Sequence, residues 1–292
     1  MKKEQVIISL TTWSKRIANL PVVLDSIYAQ TYKPDKVVLN LAYNEEIPGE
    51  VEAYLKKHDV EVNFVEDTKV YKKIIPTLRK YPDACVINID DDFIYPQGMI
   101  EDFMSVHQRY PNYPISGNRV SLQGRQCHCG CASLLKGEYF GDNLDKIDDE
   151  VMTKCGSSDI VFTYFATLNG NPYICSQNQY FLNMESYNSV SSYSENVIKE
   201  YGVEEAFEYL ENRFGSLPDI ISLYYPNVGN TVPKDMVLRL IEDDSKEKID
   251  NAIKQTENKI RSSRAYKLGF VLLKPFKWLR SVKCKNEKDR NK

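Results

Sequence analysis

Three consecutive carboxylates, Asp90-Asp91-Asp92, follow directly on a short apolar run, Ala84-Cys85-Val86-Ile87-Asn88-Ile89. Adjacent Asp side chains repel one another, so a fold that gathers them needs a countercharge beside them. Hard divalent cations prefer oxygen ligands, and a cation shared with a phosphorylated ligand meets that need. A solvated acidic turn after a strand is the competing explanation, and the rest of the chain decides between the two. A second group with chemistry is Cys127-His128-Cys129-Gly130-Cys131, with Cys155 and Cys175 as further thiols. Its spacing is tighter than the usual CxxC pairs of a zinc site, which makes it the weaker of the two metal candidates.

The chain of 292 residues is long enough for one large α/β domain or a domain with an appended tail. With 42% hydrophobic and 27% charged residues it has the composition of a globular protein, and no apolar run reaches the length of a membrane span. Met1-Lys2-Lys3-Glu4-Gln5 runs into a strand pattern without the apolar core of a signal peptide, so a cytoplasmic location is expected. Seven cysteines are too few and odd in number for a disulfide framework. The net charge of −3 conceals an asymmetry: residues 264–292 carry ten basic against two acidic side chains, +8, leaving −11 on the preceding 263 residues. An acidic body argues against nucleic acid as its ligand and turns attention to what the basic end touches.

The elements that must position the carboxylates can be read in order. Gln5–Leu10, Lys36–Leu41, Val60–Val65 and Ala84–Ile89 are strand-like, the third alternating as an edge strand does. Between them lie a helix capped by Asn19 with Pro21 in its first turn, a short helix opened by Pro48 and Gly49, and a lysine-rich helix from about 69 to 80. Strand and helix alternate about every 25–30 residues, the pattern of an α/β fold with a mostly parallel sheet flanked by helices. Ligands of such sheets bind beyond the carboxyl ends of the strands. The loop from Thr11 to Arg16 and the Asp triplet both lie at such ends and are expected to share one crevice. Farther on, a helix is expected over 98–109, an irregular stretch with a few strands over 111–180, a helix start at Ser157-Ser158-Asp159, and a helix over 191–216.

The tail has its own pattern. Asp244 and Glu247 fit a capping box, and a charged helix with Ile249, Ile253 and Ile260 follows. Beyond Arg264, Phe270, Leu273, Phe276 and Trp278 are interleaved with basic residues that include Lys277 and Arg280. Aromatic and aliphatic anchors beside lysines suit an interfacial segment on an anionic membrane surface. The expected organisation is therefore a catalytic domain over 1–240, with a ligand-binding half at 1–110 and a second half at 111–240, and a helical basic amphipathic tail over 241–292.

Three stretches carry a family resemblance: Ile7-Ile8-Ser9-Leu10-Thr11-Thr12-Trp13-Ser14-Lys15-Arg16-Ile17, Val70-Tyr71-Lys72-Lys73-Ile74 ahead of Tyr81-Pro82-Asp83, and Ile89-Asp90-Asp91-Asp92-Phe93-Ile94-Tyr95-Pro96. In this order they resemble bacterial glycosyltransferases of the GT-A fold, the family-2-like enzymes of capsule, lipopolysaccharide and exopolysaccharide assembly. The last stretch matches the family's DxD signature in its DDD form, and the resemblance covers about residues 5–180. It implies a nucleotide-sugar donor, expected to be a UDP-sugar, with Thr11 and Arg16 at the base and ribose and Lys72 or Lys73 at the phosphates. Asp90 and Asp91 would contact the donor, and Asp90 and Asp92 would hold Mn²⁺ or Mg²⁺. It also implies a carboxylate at a downstream helix start to deprotonate the acceptor hydroxyl. Asp159 matches that place best, with Asp142, Asp145 and Asp148 to Glu150 as alternatives, and a plain helix cap as the structural explanation. The expected acceptor is a lipid-linked or polysaccharide glycan met on the inner face of the cell membrane.

Two other functions fit less of the chain. A sugar-phosphate nucleotidyltransferase expects a glycine-rich phosphate loop after the first strand, and Leu10-Thr11-Thr12-Trp13 has no glycine. A non-catalytic, membrane-recruited carbohydrate-binding scaffold leaves the Asp triplet as a cost without a gain.

Overall fold

The computed structural model describes residues 4–122, 125–176, 182–183 and 202–218. Four parallel strands, β1 (Val6–Thr11), β2 (Lys36–Ala42), β3 (Glu61–Val65) and β4 (Cys85–Ile89), form half of a seven-stranded sheet. The other half comprises β6 (Ile115–Leu122), β7 (Arg125–Leu135) and β8 (Ile174–Cys175), and the sheet order is β3-β2-β1-β4-β7-β6-β8. β7 runs antiparallel to both β4 and β6. A separate pair joins β5 (Phe93–Ile94) to β9 (Leu182–Asn183). The edge position of β3 agrees with its alternation. The central strands β1 and β4 are buried throughout their apolar residues, as parallel strands covered on both faces must be.

The helices are α1 (Leu20–Tyr28), α2 (Gly49–Lys57), α3 (Ile75–Lys80), α4 (Met99–Arg109), α5 (Asp149–Cys155), α6 (Ser158–Leu168) and α7 (Val203–Phe214). α4 is amphipathic, burying Met99, Ile100, Phe103, Met104 and His107 at helical spacing. α6 is buried almost all round and lies against β7. It is held on its far side by α7, where the Tyr164 hydroxyl donates to Leu210 O (3.1 Å) and Phe165 meets Phe214 edge-on (5.0 Å between centroids).

The structure departs from the sequence expectations in two places. The lysine-rich helix is two pieces, a 3-10 turn at Lys69–Lys73 and then α3, with Ile74 at φ −122° between them. Pro76 explains the break: it suits the first turn of a helix, where its missing N–H has no partner to lose, and would interrupt a helix running through it. The stretch over 111–180, expected to be irregular with a few strands, is more regular than that: it contains the long β6–β7 hairpin, and the Cys127–Cys131 segment is part of β7. Of the helix expected over 191–216, the described residues contain α7; the remainder lies outside them, as do the tail over 241–292 and the boundary at 240. Among the described residues no helix is long and apolar enough to cross a membrane.

A buried polar network crosses the sheet beneath the future site. Ser9 Oγ donates to the Lys73 carbonyl (2.7 Å) and lies 2.6 Å from Thr77 Oγ1. Asn40 Nδ2 donates to the Thr77 and Ser9 hydroxyls (2.9 and 3.2 Å), and Asn63 Nδ2 donates to Asn40 Oδ1 (2.9 Å). With its members paired in a low-dielectric interior, such a network fixes one arrangement of the chain. Here it fixes the end of the 3-10 turn, and so the origin of the Lys73 side chain.

Candidate functional site

The Asp triplet begins one residue past β4, at the carboxyl end of the parallel half of the sheet. Tyr95 shapes the turn. Its buried hydroxyl accepts the Asp90 N–H (2.8 Å) and donates to Cys131 O on β7 (2.6 Å), tying the turn to the neighbouring strand. Burial raises the Tyr95 pKa well above its ordinary value, so the hydroxyl stays a donor.

The three carboxylates point to different partners. Asp91 is turned inward: Thr12 Oγ1 donates to its Oδ2 (2.5 Å) and Arg16 Nη1 to its Oδ1 (2.9 Å). Burial pushes its carboxyl up while Arg16 and Thr12 pull it down. The same Arg16 nitrogen donates to Asp92 Oδ2 (3.0 Å). Arg16 reaches this place because the chain after β1 folds back in a turn, its N–H and that of Ile17 donating to Trp13 O (2.8 and 2.9 Å). Asp90 Oδ1 accepts from Lys73 Nζ (2.5 Å). Asp90 and Asp92 are the more open pair, with side chains 27% and 16% exposed against 9% for Asp91.

Lys73 is the second centre. Burial works against its charged form, but the Asp90 and Asp159 carboxylates beside it outweigh that and hold its pKa above the ordinary lysine value. Asp159, in the first turn of α6 and half-buried, is near enough to Lys73 for its charge to act there. The contact between elements is direct, since the Tyr71 hydroxyl donates to Ser157 O (3.4 Å) and the Tyr71 ring lies 6.4 Å from that of Phe162. The residue at the cap position of α6 is Ser157, not Asp159, and its side chain makes no capping bond.

The remaining sequence candidates lie elsewhere. Lys72 is buried against Asp67, so Lys73 is the lysine that faces the triplet. Thr11 donates to the Asn40 carbonyl (2.7 Å) on the adjacent strand, and the hydroxyl that meets the triplet is that of Thr12. Asp148 caps α5 through Val151 N (3.0 Å) and pairs with Arg213. Asp145 pairs with Arg79 at 3.3 Å, its side chain 84% exposed; Asp142 and Asp149 are exposed, and Glu150 pairs with Lys154. Sequence reasoning missed Thr12 and Tyr95. The strand register would have found the first, since Ser9 pairs with Asn88 and a step of three residues brings Thr12 opposite Asp91. Tyr95 carries no spacing signal. Side chains of Cys127, His128 and Cys129 lie outside the described set.

The open pair presents only carboxylate oxygens, the donor set of a hard cation. Mg²⁺ and Mn²⁺ are commonly held by one or two protein carboxylates, with waters and substrate phosphates completing the shell, and Asp90 and Asp92 fit that role. Lys73 and Arg16 each engage one of these carboxylates through a single oxygen, Asp90 Oδ1 and Asp92 Oδ2.

No protein-family model matches the chain, and no curated protein matches it. Solved structures do. A mannosyltransferase, PcManGT, from Pyrobaculum calidifontis in complex with GDP-Man and Mn²⁺ aligns with a TM-score of 0.51 at 14% identity, covering 92% of this chain and 84% of that one. S. aureus TarS in complex with UDP aligns with a TM-score of 0.47 at 13% identity, covering 73% and 72%. A cytidylyltransferase from Leptospira borgpetersenii gives 0.43 at 12%, covering 73% and 95%. The fold comparison rests on the first of these, and it agrees with the strand order: the chain has a mixed α/β fold with a mostly parallel sheet, similar to the GT-A-like nucleotide-sugar transferases.

Proposed function

We propose that the protein is a metal-dependent glycosyltransferase that moves a sugar from a nucleotide-sugar, a UDP-sugar in the first instance, to a hydroxyl of a membrane-associated glycan in surface-polysaccharide assembly. The observation that carries this reading is the gathering of Asp90, Asp92, Lys73, Arg16 and Asp159 at the carboxyl end of the parallel strands. Three acids and two bases from four separate segments converge where α/β sheets bind ligands. PcManGT, with its GDP-Man and Mn²⁺, supports a nucleotide-sugar in that place.

Asp90 and Asp92 would hold Mn²⁺ or Mg²⁺, which when bound neutralises charge on the departing nucleoside diphosphate. Arg16 orients Asp92 while anchored on Asp91, so the carboxylate is presented in one orientation. Lys73 orients Asp90 and adds positive charge on the diphosphate side. Asp159, at the start of α6, accepts the proton of the attacking acceptor hydroxyl. The basic tail would hold the protein on an anionic leaflet through Phe270, Leu273, Phe276 and Trp278.

A panel of nucleotide-sugars tests the reading. One donor should raise the unfolding temperature only with Mn²⁺ or Mg²⁺ present, since a ligand at 100 times its Kd stabilises by about 2.7 kcal/mol. The same donor should be turned over with release of nucleoside diphosphate, and EDTA should stop it. A panel with no metal-dependent shift and no turnover overturns the proposal. For the tail, truncation after residue 262 should release the protein from anionic liposomes without changing donor turnover. Undiminished liposome binding by the truncated chain defeats that part.

A further inference from the structure

At the other end of β4, about 16 Å of extended chain from Asp90, a second cluster of metal-ligating side chains has no part in the chemistry above. Cys85 opens β4, His107 lies in the last turn of α4, and Glu4 lies two residues before β1. One ligand atom from each lies within 4.8 Å of the others. Cys85 and His107 are buried, at 0% and 1% exposure, and the Glu4 side chain is 39% exposed. The geometry points to a zinc site built from Glu4, Cys85 and His107, separate from the donor cation.

The donor set selects the metal class. A thiolate, an imidazole and one carboxylate form a mixed nitrogen, sulfur and oxygen set that suits Zn²⁺ and does not suit Mg²⁺ or Ca²⁺. Across a tetrahedral zinc centre, ligand atoms stand about 3.3–3.7 Å apart. The 2.9 Å between His107 Nε2 and Glu4 Oε2 and the 4.8 Å limit on the set bracket that spacing, so small side-chain shifts close the site.

The surroundings are arranged as a metal site requires. The second ring nitrogen of His107, Nδ1, is 3.1 Å from the Tyr139 hydroxyl, which donates to the Pro111 carbonyl (3.0 Å). With its own proton on Pro111 O, the Tyr139 hydroxyl can accept a hydrogen bond from Nδ1–H, which leaves Nε2 as the ligand atom, the outer support that metal-bound histidines use. Lys136 Nζ is bound to Glu4 Oε1 (3.1 Å), which orients the carboxylate and leaves Oε2 facing His107. Glu138 pairs with Lys136 at 2.7 Å. With zinc bound, the +2 of the ion and the +1 of Lys136 balance the charges of Glu4, Glu138 and the Cys85 thiolate. Glu4 also lines a surface cavity of about 490 Å³ with Tyr81, Pro82 and Asp83, so one ligand of the site is reached from solvent. Bound there, the ion would staple the start of the chain to β4 and α4.

Cobalt substitution reads this directly, because Co²⁺ takes zinc sites and a thiolate ligand gives it a charge-transfer band that carboxylates do not. The full-length protein, cleared of metal with a chelator, is titrated with Co²⁺. One equivalent should produce the thiolate band, and Zn²⁺ should abolish it. Cys85→Ser should lose the band with the far-ultraviolet circular dichroism unchanged, and Asp92→Ala should keep it. Glu4→Gln, at the exposed side of the site, should weaken Co²⁺ at least about tenfold, and serves if Cys85→Ser does not fold. A protein that gives no thiolate band, a band retained in Cys85→Ser, or an unchanged affinity in Glu4→Gln overturns the site.

Discussion

Asp92→Ala should lower donor turnover by at least about a thousandfold at saturating Mn²⁺ while leaving the protein folded. A cation that neutralises the leaving diphosphate supplies several kcal/mol of transition-state stabilisation, and each 1.36 kcal/mol is a factor of ten. Asp92 is one of the two carboxylates open to such a cation. Arg16 keeps its bond to Asp91 when Asp92 is lost, so the buried guanidinium is not stranded. Asp91 has the opposite character: buried, bonded by Thr12 and Arg16, it is the anchor on which the loop after β1 closes. The experiment follows nucleoside diphosphate release and thermal unfolding together. Turnover within tenfold of the parent would remove Asp92 from the metal site. A collapse of unfolding temperature in Asp92→Ala would make it a second anchor like Asp91.

Much of this arrangement was legible in the sequence, and the reasons are particular. The four parallel strands are covered on both faces and so read as continuous apolar runs, with the carboxylates placed where the fourth run stops. That Arg16 and the triplet share a crevice was expected from both lying at carboxyl ends of strands, and the structure adds that those strands, β1 and β4, are neighbours. What stayed hidden depended on single-residue rotation. Successive residues of a 3-10 turn point about 120° apart, so Lys72 and Lys73 face different carboxylates, and no composition rule says which. Thr11 and Thr12 differ in the same way at the end of a strand, where one hydroxyl meets the neighbouring strand and the next meets Asp91. β7 was illegible for another reason. Its Cys, His and Gly residues have no strong strand preference of their own, and pairing with β4 and β6 decides their conformation. The Glu4, Cys85 and His107 group is spread over 103 positions and exists only once three elements have packed.

Asp159→Asn should reduce kcat about 10²–10⁴-fold, the usual worth of a positioned general base, with the donor KM and the metal-dependent thermal shift unchanged. The split between those quantities matters because Asp159 has a neighbour that allows a second role. Its carboxylate helps keep Lys73 charged, and Lys73 in turn holds Asp90. Were Asp159 only a countercharge, its neutralisation would act through Lys73 and Asp90 on the donor end of the site. The donor KM would then rise and the nucleotide-induced shift would shrink, while kcat at saturation changed little. Were it the base, donor binding would not register the change, because the proton it accepts belongs to the acceptor. Asn preserves size and one hydrogen-bonding oxygen, so the comparison isolates the charge and the proton. The position in the first turn of α6 serves either role, since a helix N-terminus stabilises a carboxylate that is left charged. Measured with one donor and one acceptor, a fall in kcat alone assigns Asp159 to proton transfer, and a rise in donor KM with kcat preserved assigns it to Lys73.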